Sequence, residues 1–196
     1  MFAGELGIDV WEAIDAASTK PFGFMRFLPG PGVGGHCLPV DPSYLSWQVR
    51  RSLGESFRFV ELANDVNAHM PNYVVRRVQR ALNEQAKAIN GSRILVLGLS
   101  YKRNTGDARE SPSVIVASQL AALGANVHAA DPHVDAAVLR GQITRVECTA
   151  EELLAADAVV MLTNHDAFDV KAVVEHARYV LDCRHAVPAG DNIEYL

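Results

Sequence analysis

Arg93-Ile94-Leu95-Val96-Leu97-Gly98 is a short apolar run that carries β-branched residues and is closed by glycine, as expected of a strand buried on both faces of a parallel sheet. Downstream of it, elements alternate. Ser111-Pro112 opens an apolar helical run through Leu123, with Ser111 as N-cap, Pro112 at the first helical position and Gly124 just past the end. Asn126-Val127-His128-Ala129-Ala130-Asp131 reads as a second strand. Thr149-Ala150-Glu151-Glu152 fits a capping box starting a short helix, followed by a strand from Ala158 to Thr163, a helix from Val170 to Ala177 and a strand from Tyr179 to Cys183. This alternation predicts an α/β fold with a parallel sheet and right-handed crossovers.

Upstream of Asn90-Gly91-Ser92 the patterning is helical. Ile8, Val10, Trp11, Ile14 and Ala17 predict a helix from Leu6 to Ala17, ending before Pro21, which disfavours helix in its predecessor. From Pro21 to Pro42, Gly and Pro are too dense for a regular helix or central strand, so this is a shaped loop. Helical spacing resumes through Tyr44, Leu45, Trp47 and Val49, breaks at Gly54, and runs on from Phe57 to Leu82, with Pro71 read as the start of a further helix. Long amphipathic helices need a partner surface, between domains or between subunits. The division expected is a helical segment over residues 1–90 and an α/β domain over 91–196.

The whole chain has 196 residues, 49% hydrophobic and 21% charged, within the range of globular chains, which argues against disorder, collagen and coiled coil. A net charge of −5 without clustered Lys and Arg argues against nucleic acid or a membrane surface as partner. Cys37, Cys148 and Cys183 are too scattered for a disulfide framework, and no CxxC pair offers a metal site, which fits a reducing cytoplasm. Apolar runs such as Ala158 to Leu162 fall far below the roughly 18 residues that span a bilayer, and the N-terminus lacks a basic region followed by an apolar one.

Two loops are candidates for chemistry. In Gly34-Gly35-His36-Cys37-Leu38-Pro39-Val40-Asp41, paired glycines let a ligand approach the backbone, Cys37 offers a thiol and Asp41 a carboxylate that orients water; the residues alone favour the other reading, a structural loop with a buried cysteine and Asp41 capping the next helix. His36 adds little to either reading. The loop from Gly98 to Pro112 leaves the carboxyl end of the first strand and enters a helix, where backbone N–H groups with Lys102, Arg103 and Arg109 suit phosphates. It is not a GxGxxG fingerprint, and a solvated polar loop is the alternative. Asp131, at the end of the second strand, is a ribose-binding acid or a turn cap, and the missing fingerprint favours the cap. Arg184 adds a contact suited to phosphate. Phe22, Phe24 and Phe27 form a binding floor or, the favoured reading, anchor their loop to the core.

Two long motifs stand in order: Thr19-Lys20-Pro21-Phe22-Gly23-Phe24-Met25 leading into Pro29-Gly30-Pro31-Gly32-Val33-Gly34-Gly35-His36-Cys37, and Tyr101-Lys102 with Asp107, Arg109, Glu110, Ser111 and Pro112. Together they resemble the UDP-glucose/GDP-mannose dehydrogenase family, most strongly its branch oxidising UDP-N-acetylhexosamines. The resemblance implies a helical dimerisation segment followed by a Rossmann-like, parallel-sheet UDP-binding domain, a UDP-sugar as ligand and a homodimer formed through the central helices. It also implies oxidation of a sugar C6 alcohol through an aldehyde to a carboxylate, with hydrides passed to NAD and a thiohemiacetal and thioester formed on a cysteine. By motif position, Cys37 is similar to the nucleophile and Asp41 to the residue orienting the hydrolytic water. Leu28, Pro29, Gly30, Pro31, Gly32, Val33 and Gly34 resemble the sugar-lining loop, Tyr101, Lys102 and Arg184 further substrate contacts, and Cys37 and Arg109 positions near NAD.

The chain departs from the family in places. Arg26 stands where Pro follows Phe-Gly-Phe-Met, and Val40 where some relatives carry Lys. The glycine-rich NAD fingerprint, a catalytic Glu, and the Lys and Asn of the central helix lie upstream of Met1 in family members, so this polypeptide alone is not expected to catalyse. A non-catalytic UDP-sugar-binding and dimerisation module is the competing reading.

Overall fold

The computed structural model describes residues 1–135 and 143–196. Helices α1 (Phe2–Glu5), α2 (Val10–Ala17), α3 (Asp41–Leu53) and α4 (Arg58–Glu84) come first. They are followed by β1 (Arg93–Leu97), α5 (Pro112–Ala122), β2 (Asn126–Ala130), β3 (Ile143–Arg145), α6 (Ala150–Ala155), β4 (Ala158–Met161), α7 (Val170–His176), β5 (Val180–Asp182) and β6 (Ile193–Tyr195). The strands form one parallel sheet in the order β3-β2-β1-β4-β5-β6. The α/β expectation holds, with the sheet order of a Rossmann-like fold.

Side-chain alternation along β1 builds the two faces of the core. Ile94 and Val96 point into a cluster with Val116 and Leu120 of α5 and Val74, Val78 and Leu82 of α4. Leu95 and Leu97 point the other way, onto Leu153 of α6 and Val173 of α7. The four apolar side chains of β1 are fully buried, which is why the run is apolar without alternation. The second half of α4 thus packs on this chain's own sheet. Its first half carries Phe59, Leu62 and Val66 into solvent.

Several expectations need correction. The helix expected from Leu6 to Ala17 begins only at Val10: a separate short helix, α1, ends at Glu5, the chain turns through Gly7, and Asp9 caps α2 by accepting from the N–H groups of Trp11 and Glu12. Pro71 does not start a helix. It lies buried inside α4, whose packing on the sheet outweighs the one backbone hydrogen bond that proline removes. Thr149 caps α6, its hydroxyl accepting from the Glu152 N–H at 3.3 Å, but the Glu152 carboxylate takes both Arg93 and His128. Strands β3 and β6, three residues each, were not expected: such short edge strands carry too little periodicity to stand out. Among the described residues no helix is long and apolar enough to cross a membrane.

Candidate functional site

Strand order reverses between β1 and β4, whose connections leave to opposite sides and open a crevice at their carboxyl ends. The two ends are bonded tightly. The N–H groups of Leu162 and Thr163 donate to the Leu97 carbonyl, and Thr163 Oγ1 donates to the Ser100 carbonyl at 2.7 Å. Gly98, at φ +87°, makes this possible, since a Cβ there would stand 2.3 Å from the Thr163 carbonyl oxygen.

Above this crevice a cavity of about 510 Å³ is lined by Leu28, Pro29, Gly30, Gly32, Val33 and Gly34 from one loop, by Tyr101 and Lys102 from the loop after β1, and by Arg184 from the end of β5. The structure therefore brings together nearly every substrate-contact candidate. Pro31, in the same loop, is the exception: it is buried and does not line the cavity. Close approach between the loops requires their glycines: a Cβ on Gly34 would lie 2.6 Å from the Glu110 carbonyl oxygen and 2.8 Å from Tyr101 Cβ.

Arg184 is held by its backbone N–H, which donates to Asp182 at 2.8 Å, and by Nε, which donates to the Leu162 carbonyl at 2.7 Å. Its guanidinium lies against Gly30, where an added Cβ would approach Nη1 to 2.5 Å. Burial pulls its pKa below the ordinary arginine value, partly countered by Cys183 and Asp182, and no ion pair neutralises it among the described residues. A half-buried cation without a salt-bridge partner on a cavity wall suits an anion.

Cys37 is exposed, in the turn before α3 and next to Leu38, which lines the cavity. Asp41 opens α3 but does not cap it: Val40 is the N-cap residue, without a side-chain cap, and Asp41 stands exposed. The other two thiols differ from Cys37. Burial raises Cys148 to about 11 and pushes Cys183, fully enclosed, still higher. Arg109 does not line the cavity. It stands in solvent and grips Asp107 with two bonds of 2.9 and 2.7 Å, and this pairing holds the Asp107 carboxyl at about 2.

The dinucleotide position of this sheet does not fit NAD. Asp131, where a ribose-binding acid would stand, accepts from the N–H groups of Leu99, Ser100, His133 and Val134 and from His165, leaving no oxygen for a ribose. Asp131 is thus a cap, and more. Burial pushes its pKa up, but the His165 bond and the backbone N–H groups outweigh this and hold the carboxyl well below the usual range.

Phe22, Phe24 and Phe27 do not anchor their loop to the core: they are exposed, Phe22 by 84%. Arg26 beside them pairs with Asp15 at 2.5 Å. Asn67 was not foreseen, although it is the residue that ties the cavity wall to α4. Its amide accepts from the Val33 N–H at 2.7 Å and donates to the Val33 carbonyl at 2.8 Å. A polar residue on an amphipathic helix reads as solvent-facing, so no sequence signal pointed to it.

Two profiles of one family match in tandem: the central domain of the UDP-glucose/GDP-mannose dehydrogenase family over residues 1–69 and its UDP binding domain over residues 95–189. The chain belongs to this family. A UDP-N-acetyl-D-mannosamine dehydrogenase of Methanococcus maripaludis is 38% identical over 166 residues, which cover 84% of this chain and 35% of that protein. An NDP-N-acetyl-D-galactosaminuronic acid dehydrogenase of Ralstonia solanacearum is 37% identical over 172 residues, covering 86% of this chain and 38% of that one. Among solved structures, a UDP-D-ManNAc dehydrogenase from Pyrococcus horikoshii superposes with a TM-score of 0.80 at 28% identity, over 99% of this chain and 45% of that one. This family member thus spans between 35% and 44% of the length of the curated relatives it matches. The cavity lies where the central-domain match and the UDP-binding-domain match meet.

Proposed function

We propose that the cavity holds a UDP-sugar and that this chain is the substrate-holding part of an NAD-dependent UDP-sugar 6-dehydrogenase. One observation carries the reading: the glycine loop, Tyr101-Lys102 and the half-buried Arg184, without an ion pair among the described residues, converge on a single cavity. Lys102 and Arg184 supply positive charge for a diphosphate, while the backbone of Leu28 to Gly34, stiffened by its prolines, lines the sugar. The names of the relatives favour an N-acetylhexosamine as that sugar.

Cys37 is the nucleophile in this reading. Its sulfur bonds to the C6 aldehyde carbon and the carbonyl oxygen takes up a proton, giving a thiohemiacetal without redox change. Asp41 orients the water that hydrolyses a thioester at the same sulfur, releasing the carboxylate and restoring the thiol. NAD supplies the hydride acceptor when bound, and since the sheet of this chain does not fit it, the reading places its main site outside these residues, with Cys37 and Arg109 as neighbours. The exposed faces of α3 and α4 pair with a second copy, forming a homodimer. A non-catalytic UDP-sugar-binding module draws support from the same misfit to NAD.

Parallel calorimetric titrations with UDP, UDP-N-acetylglucosamine and NAD test the reading. The UDP ligands are expected to bind and NAD is not. Lys102→Ala is expected to weaken UDP binding about tenfold, the scale of one charge-assisted hydrogen bond. No heat with either UDP ligand overturns the proposal.

A further inference from the structure

His165, which the proposed chemistry does not use, is buried between the carboxyl ends of β1, β2 and β4, only 3% exposed. Its bonds assign its ring proton. Nδ1 accepts the Asn104 N–H at 2.9 Å, so the proton sits on Nε2, which lies 3.0 Å from Asp131 Oδ2 and 3.2 Å from Ser100 Oγ. Ser100 Oγ spends its own proton on the Lys102 carbonyl at 2.8 Å, leaving its lone pairs for Nε2–H. The rings of His133 and Phe168 pack edge-on against the imidazole, with centroids at 4.9 and 5.6 Å.

Asp166 extends the same tie at the surface. Its N–H donates to Asn104 Oδ1 at 3.0 Å, and its carboxylate accepts from Asn104 Nδ2 at 2.6 Å and pairs with Arg103. Asn104 itself sits at φ +57°, a left-handed conformation uncommon for a non-glycine residue and here over-determined by bonds from both neighbours of the latch.

We infer that His165 is a positioning residue for the nucleotide-sugar cavity: with Asp166 it latches residues 100–104 to the end of β4 and sets where Tyr101 and Lys102 stand. The inference rests on the reading of the cavity given above. Its physical basis is preorganisation, since a loop held in place before the ligand arrives is not ordered at the expense of affinity.

Calorimetric titration with UDP of the unaltered chain, His165→Asn, His165→Gln and Asp166→Ala tests it. In His165→Asn the amide oxygen occupies the Nδ1 position and keeps the acceptor for Asn104. In His165→Gln the amide nitrogen occupies the Nε2 position, keeping the donor to Asp131 while Asn104 loses its acceptor. Both remove the ring, so a merely structural role, which acts through packing and the Asp131 bond, weakens His165→Asn at least as much as His165→Gln. The latch predicts His165→Asn within about threefold of the unaltered chain and His165→Gln about tenfold weaker. Equal affinities in the two variants overturn it. If the buried substitutions do not fold, Asp166→Ala, which alters only exposed groups, carries the test: about threefold weaker binding supports the latch and unchanged affinity overturns it. Absence of UDP binding by the unaltered chain instead overturns the reading of the cavity, and the latch's role there with it.

Discussion

Asp131 is the residue on which most of the site's scaffold hangs, since its two oxygens gather four backbone N–H groups and a buried imidazole from the ends of three strands. Asp131→Asn replaces one acceptor oxygen by a donor facing donors, and is expected to lower the unfolding free energy by about 2–5 kcal/mol in urea denaturation. The carboxyl's folded pKa lies below its unfolded value of about 3.9, so its stabilisation is complete above that value and is lost as pH falls towards the folded one. Denaturation midpoints measured from pH 6 down to pH 2 are expected to fall more steeply in the unaltered chain than in Asp131→Asn. The three thiols also part company. Cys37 is exposed while burial raises the other two, so a thiol reagent at neutral pH is expected to label one cysteine rapidly. Cys37→Ser is expected to abolish that fast phase and leave UDP affinity unchanged, as counted by mass spectrometry and calorimetry.

Among the elements, the loops matter more than the strands they join. Gly34 is wedged between the Glu110 backbone, Tyr101 and Pro112, so Gly34→Ala forces backbone rather than a flexible side chain to move. A loss of about 1–3 kcal/mol is expected by chemical denaturation, with weaker UDP binding because the displaced atoms line the cavity. The reading of β1, α5, β2, β4 and β5 from periodicity and caps succeeded because each is buried or capped by its own residues. Pro71 misled for a local reason: proline usually starts helices, and only the burial of Val74, Val75 and Val78 just beyond it keeps α4 continuous. Thr149 and Glu152 misled in the same way, because a distant arginine, Arg93, claims the carboxylate.

For the whole molecule, α4 is the spine that joins the two family matches. Its later turns enter the sheet core, and Arg77 reaches Glu194 at 2.8 Å and the Tyr195 carbonyl at 2.8 Å, while Tyr179 donates to the same Glu194. Its early turns present Phe59, Leu62 and Val66 on one side, with Trp47 and Leu53 of α3 also exposed. Large apolar side chains exposed together on adjacent helices predict association. Sedimentation at micromolar concentration is expected to give twice the chain mass, and Leu62→Glu is expected to give the single-chain mass with the circular-dichroism spectrum of the folded chain.

Composition, the apolar run at β1, the helix caps and the two long motifs carried the fold class, the family and most of the cavity's lining, though not Asn67 or Met70, because those signals are local and a family's motif survives as consecutive letters. Which groups meet was decided by the tertiary structure. Asn67 reaches Val33 across a gap in sequence, Arg184 finds no ion-pair partner among the described residues, Arg109 turns away to Asp107, and Asp131 is consumed by backbone N–H groups. Each of these depends on strand order and loop packing, and contacts between residues far apart in the chain leave no periodicity in the sequence for a reader to find.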